Sequence, residues 1–166
     1  MPDTPTPSAG ARFRAAVERR DLAAVEELFT DDIRLYSPVK FRPFEGKAAV
    51  TGLLGVLLRT FEDFRYVGAF EGSSETSTDG TTAPSEVLLF RAVAGGKDIH
   101  GIDLLHTGDD GLIKEITVMV RPQSAVHALG QAVLAGLVAD GLAADGPAPA
   151  EAATGGAAGS VRAPEA

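Results

Sequence analysis

Between residues 9 and 61 the large apolar side chains return every three or four positions, and between 64 and 120 they return every second one. The first spacing is that of a helix face, the second that of a strand face. Ser8 is placed to cap a first helix whose apolar side carries Phe13, Ala16 and Val17. Asp21 caps a second, with Leu22, Val25, Leu28 and Phe29 at helical spacing. "TDD" ends it, and "IRLYS" alternates as a short strand. Ile33, Leu35 and Ser37 share one face of it, and Arg34 and Tyr36 take the other. Beyond Pro38 and Pro43 a third helix runs from about Gly46 to Phe61, with Val50, Leu53, Leu54, Leu57 and Phe61 as its stripe.

Four strand-like runs follow: "FRYVGAF", "SEVLLFRAVA", "DIHGIDLLHT" and "LIKEITVMV". Gly95-Gly96 reads as a two-residue hairpin turn. The register it sets puts Leu88, Phe90 and Ala92 on one face with Ile99, Gly101 and Asp103. Leu89, Arg91 and Val93 face the other way beside His100 and Ile102. "GDDG" makes the next turn, and Ile116, Val118 and Val120 line one side of the last strand. Ser124 is placed to cap a closing helix with Val126, Leu129, Val133 and Leu137 in its stripe. This order predicts an α+β fold, a curved, mostly antiparallel sheet wrapped around N-terminal helices with an extra C-terminal helix at about 123–140.

The rest of the chain sets the limits. The stretch 141–166 consists mostly of alanine, glycine and proline, with almost nothing large enough to pack. Such a segment does not offset its ordering entropy, so we expect a disordered tail there, loose residues at 1–7 and a folded unit at 8–140. A chain of 166 residues is then one domain. Its net charge of −8 argues against nucleic acid and anionic membranes as partners. The absence of cysteine excludes disulfides, thiolate catalysis and sulfur-ligated metals. With no apolar run of bilayer length and no export signal, the expected location is cytoplasmic.

Few residues offer chemistry. Asp103 is the one carboxylate on a face otherwise made of Leu88, Phe90, Ile116, Val118 and Val120. Burial there raises its pKa and keeps it partly neutral, as a donor to a ligand carbonyl. The alternative is an aspartate hydrogen-bonded to Ser37, Tyr36 or a backbone amide, without chemistry. Large Phe90 and Leu88 mix on this face with small Ala92, Gly101 and Ser37, a mixture that leaves room for a ligand. Phe64 and Tyr66 either line the same space or pack in the core. His100, His106 and His127 lack ligand spacing, so no metal is expected, and the register turns His100 and His106 away from Asp103. Asp31-Asp32 and Asp109-Asp110 sit at turns and read as structural. No phosphate loop or dinucleotide fingerprint is present, and no cofactor is expected.

"RFRAAVERRDLAAVEELFTDDIRLYSPV", "FEGKAAV" and "DGLIKEITVMV" occur in order and at matching spacing. Together they resemble the nuclear transport factor 2-like superfamily, which includes ketosteroid isomerases and SnoaL-like polyketide cyclases, over about residues 9–121. The resemblance implies a cone-shaped pocket between the helices and the concave face of the sheet. Ketosteroid isomerases use a tyrosine on the first helix, a carboxylate base on the first strand and a protonated aspartic acid on a later strand. Those positions fall at Phe13, Ser37 and Asp103, so one group of the three is matched. The epoxide-hydrolase relay is not matched either, with Gly101 at the arginine position and Val118 and Val120 where its second aspartate is needed.

Three readings follow. The first is a binding domain for a small apolar or ring-containing molecule, with Asp103 and Ser37 as polar anchors and Phe13 in the wall. The second is a cyclase or isomerase with Asp103 as acid or base, which still needs a second catalytic group. The third is an interaction module without ligand. The outer sheet face, with Leu89, Val93, Ile102, Leu104 and Met119 among Arg91, His100, His106 and Thr117, is too apolar for water. It predicts a homodimer, as the resemblance also implies, unless the closing helix covers it.

Overall fold

The structure, a computed structural model, describes residues 5–143. Its elements run α1 (Ala9–Glu18), α2 (Leu22–Glu26), β1 (Phe29–Tyr36), β2 (Phe44–Glu45), α3 (Lys47–Thr60), β3 (Glu62–Glu75), β4 (Thr82–Ala94), β5 (Lys97–Thr107), β6 (Ile113–Arg121) and α4 (Gln123–Ala139). The six strands form one sheet in the order β2-β1-β6-β5-β4-β3. Only the β1–β6 pairing is parallel. This is the expected α+β architecture of a curved sheet closed over helices.

The local signals act through caps and turns. The Ser8 hydroxyl accepts from the Ala11 N–H at 3.1 Å and donates to Glu86 at 2.7 Å. Glu86 also accepts from the Gly10 N–H at 2.8 Å, so one carboxylate on β4 fastens the start of α1. Asp21 caps α2 through the Ala24 N–H. Gly95 and Gly96 both have positive φ, 56° and 72°, and join β4 to β5 as a two-residue hairpin. That hairpin sets the register Leu88↔Asp103, Phe90↔Gly101 and Ala92↔Ile99.

Two boundaries differ from expectation. The helical spacing of Leu22, Val25, Leu28 and Phe29 does not carry α2 past Glu26, because Phe29 pairs with Ile113 and belongs to β1. The Leu28 carbonyl accepts from the Ile113 N–H at 2.7 Å, a tertiary contact that overrides local periodicity. The closing helix begins at Gln123, so Ser124 lies inside its first turn. The N-cap is Pro122, whose carbonyl accepts from the Ala125 and Val126 N–H groups.

The course of α4 decides what remains open. It packs on α3, where Gly136 lets the backbone approach Val56, and against the β1–β2 loop, where Gly130 faces Val39. It therefore lies on the concave side rather than on the outer sheet face. Gly141, with φ 71°, closes it, and the Leu142 N–H returns to the Leu137 carbonyl at 2.8 Å. Leu142 then lies against Gly52, two residues beyond the expected end of the folded unit. The remainder of the expected tail, 144–166, and residues 1–4 lie outside the described residues. No described helix is long and apolar enough to cross a membrane.

Candidate functional site

A cavity of about 1080 Å³ lies between the concave sheet face, α1, α3 and α4. Of the residues named from sequence, Phe13, Ser37, Phe64, Tyr66, Phe90, Asp103, Ile116 and Val118 line it, and Leu88 and Val120 do not. Leu88 pairs with Asp103 in register but is sealed in the core on the stretch of β4 where α1 packs. Val120 pairs with Gly101 and packs, partly buried, against the core.

The expected source of room is also corrected. A Cβ placed on Gly101 would collide with the Phe90 ring, so that ring already fills the space left by the missing side chain. Phe90 can lie flat on the sheet because residue 101 is glycine. The cavity opens instead between the sheet and the stripes of α3 and α4, among Leu54, Leu57, Val126 and Val133. Phe64 completes an aromatic wall, 5.3 Å from the Phe90 ring and 5.0 Å edge-on to Tyr66.

Asp103 sits in this wall with 9% of its surface exposed. Its partner is neither Ser37 nor Tyr36. The Tyr66 hydroxyl donates to Asp103 Oδ2 at 2.9 Å, reaching across β4 from β3. Burial pushes the Asp103 carboxyl up to about 7, against the opposing effect of the Tyr66 hydrogen bond. Burial, and then the neighbouring Asp103 charge, hold the Tyr66 phenol well above its ordinary value. The phenol therefore stays a donor. Oδ1 of Asp103 has no hydrogen bond among the described residues and remains available on a cavity-lining residue.

Ser37 lies just past the end of β1. Its hydroxyl accepts from the Val39 and Lys40 N–H groups at 3.4 and 3.3 Å and shapes the turn that forms the rim. The rim is exposed and polar, with Lys40, Arg42, Gln123, His127 and Gln131 beside an exposed Phe41. The Lys40 ammonium stands 3.7 Å from the Phe44 ring centroid. The sequence presented His127 only as a metal-ligand candidate without ligand spacing, and only the docking of α4 brings it to this opening. Tyr66 carried a weak signal, since its inward face was legible while its bond to Asp103, 37 residues away, was not.

The other histidines lie elsewhere. His100 stands between Arg91 and Arg121 on the outer face, where desolvation and both guanidinium groups lower its pKa. His106, expected on the same outer face, is fully buried, because the turn after β3 folds over it. Its Nε2 lies 2.9 Å from the Ser74 hydroxyl and its Nδ1 lies 3.5 Å from Glu115. Glu115 accepts from the Ser77 and Thr78 N–H groups at 2.6 and 3.0 Å, which fastens that turn to the sheet. Among the described residues no three His, Cys, Asp or Glu side chains gather as metal ligands.

The SnoaL-like domain family profile matches residues 11–116. Comparison with curated proteins returns no match. Among solved structures, a steroid delta-isomerase from Pseudomonas aeruginosa is 34% identical with a TM-score of 0.69, covering 81% of this chain and 93% of its own. An uncharacterized protein with a cystatin-like fold from Silicibacter pomeroyi is 26% identical with a TM-score of 0.70, covering 80% and 87%. An NTF2-like protein of unknown function from Cytophaga hutchinsonii, 17% identical with a TM-score of 0.51 over 73% and 97%, is similar in fold.

Proposed function

The chain belongs to the SnoaL-like family of nuclear transport factor 2-like domains, and from that premise we propose that it binds a small, mostly apolar molecule through an oxygen held at Asp103. One observation carries this reading: a carboxyl with a raised pKa, oriented by Tyr66, in the wall of a large apolar cavity. Below about pH 7 the protonated Asp103 donates from Oδ1 to a ligand carbonyl or hydroxyl while Tyr66 occupies Oδ2. The volume suits a polycyclic or similarly bulky body.

The test is thermal unfolding of the wild type and Asp103→Asn with polycyclic ketones, phenols, epoxides and fatty acids. A ligand that prefers the folded state raises the midpoint. The expected result is a rise in the wild type that shrinks or disappears in Asp103→Asn. If no compound moves either midpoint, the reading fails and Asp103 is structural.

Isomerase or cyclase chemistry is the second reading, favoured by the likeness to a steroid delta-isomerase and by a carboxyl able to exchange a proton near neutrality. His127, on the same cavity, is its candidate second group. Turnover of a bound compound separates enzyme from carrier.

A homodimer through the outer sheet face completes the proposal. Phe70 and Met119 are 65% and 52% exposed there, beside half-buried Leu89, Ile102 and Leu104. Arg65, Arg91, His100 and Arg121 form one cross-strand row at one end of that face. Copies stacked with this row against the partner's opposite end avoid setting like charges together.

A further inference from the structure

The charges around the cavity run against those of the chain. The protein carries 23 acidic residues and 15 basic ones, yet among the described residues Asp103 is the only carboxylate that lines the cavity, while Lys40 and Arg42 both stand at the opening. Nearby cations are differently placed. Lys47 has Asp31 at 3.3 Å and Arg34 has Glu45 at 3.4 Å. Lys40 and Arg42 have no carboxylate within 4.0 Å among the described residues. The Phe44 ring keeps the Lys40 ammonium beside the apolar lip through its cation–π contact.

A cation without a carboxylate partner is ordinary on a surface. Two of them on the lip of an apolar cavity, in a chain whose overall field repels anions, create a local potential of opposite sign where a ligand enters. The rim also offers the side-chain amides of Gln123 and Gln131 and the ring of His127, all able to donate to an oxyanion.

We infer that the cavity takes an apolar acid, with its anionic head at Lys40 and Arg42 on the rim and an oxygen at its far end on Asp103. This inference rests on the pocket reading above and adds the ligand's charge and direction. The body lies among Leu54, Leu57, Phe64 and Val133, and the acid group stays at the solvent edge, where it keeps part of its hydration.

The test compares a tetracyclic enone bearing a side-chain carboxylate at its opposite end with the methyl ester of the same compound. Both are titrated into the wild type and into the double variant Lys40→Gln, Arg42→Gln. The two positions are exposed, so the variant should unfold at the wild-type midpoint without ligand. The wild type is expected to bind the acid about tenfold tighter than the ester, with a preference that falls as salt is added. In the double variant the two affinities should come within about twofold, with ester binding unchanged. Equal affinities in the wild type, or an acid preference that survives the double substitution, overturn this inference and leave the pocket reading standing. Binding of neither compound overturns both.

Discussion

Asp103 concentrates the physics of this protein in one side chain. Its carboxyl is held at about 7 in the folded chain against an ordinary value of 3.8, chiefly by burial. A raised carboxyl pKa adds stability that is fully present below the unfolded value and lost as pH rises through the folded one. Stability from this group therefore declines from about pH 4 to about pH 7 and stays low above. Asp103→Asn still accepts the Tyr66 hydrogen bond and removes the buried charge. We expect the variant to gain roughly 2 kcal/mol at pH 8, within an upper bound of about 4 kcal/mol, and the gain to shrink toward pH 4. Denaturant unfolding of both proteins from pH 4.5 to 8.5 reads this directly, and parallel curves would show that the carboxyl is not perturbed. That Asp103 faces inward was legible from the alternation of β5. Its partner was not, because the Tyr66 hydroxyl crosses an intervening strand to reach it.

Helices and strands were legible to different depths. The β4–β5 hairpin could be read residue by residue, since two glycines with positive φ fix the loop and the loop fixes the register. The end of α2 could not, because Phe29 has helical spacing but finds its partner, Ile113, at the far side of the chain. The same holds for α4, whose apolar stripe announced burial without saying against what. Its seat on α3 depends on Gly136, where an added Cβ would stand 2.5 Å from Val56 Cγ1. The β-branched Val56 side chain has few rotamers to retreat into. Gly136→Leu should cost about 2 kcal/mol through overpacking. It should also weaken binding of any ligand found for the cavity, because α4 forms one of its walls. A variant as stable as the wild type with full affinity would show that the two helices adjust freely.

At the scale of the whole molecule the sheet separates a concave surface from an outer one. Its concave side, closed by α1, α3 and α4, forms the cavity; its outer side carries the exposed Phe70 and Met119 and, at one end, the turn after β3 that covers His106. Replacing Phe70 and Met119 by lysine and glutamate should turn a dimer into a monomer in sedimentation at micromolar concentration while thermal unfolding stays cooperative. A wild type that sediments as a monomer would remove the interface proposal. The sequence by itself determined the kind of each main element, the hairpin register, which faces turn inward and the family, because periodicity, caps and glycine turns act over a few residues. Only the tertiary structure decided that Phe90 fills the space at Gly101, that Tyr66 holds Asp103, that His106 is buried under a turn and that α4 brings His127 to a basic rim. The last three depend on contacts between segments far apart in the chain, which no local pattern encodes, and the first on how the Phe90 ring lies, which the hairpin register alone does not set.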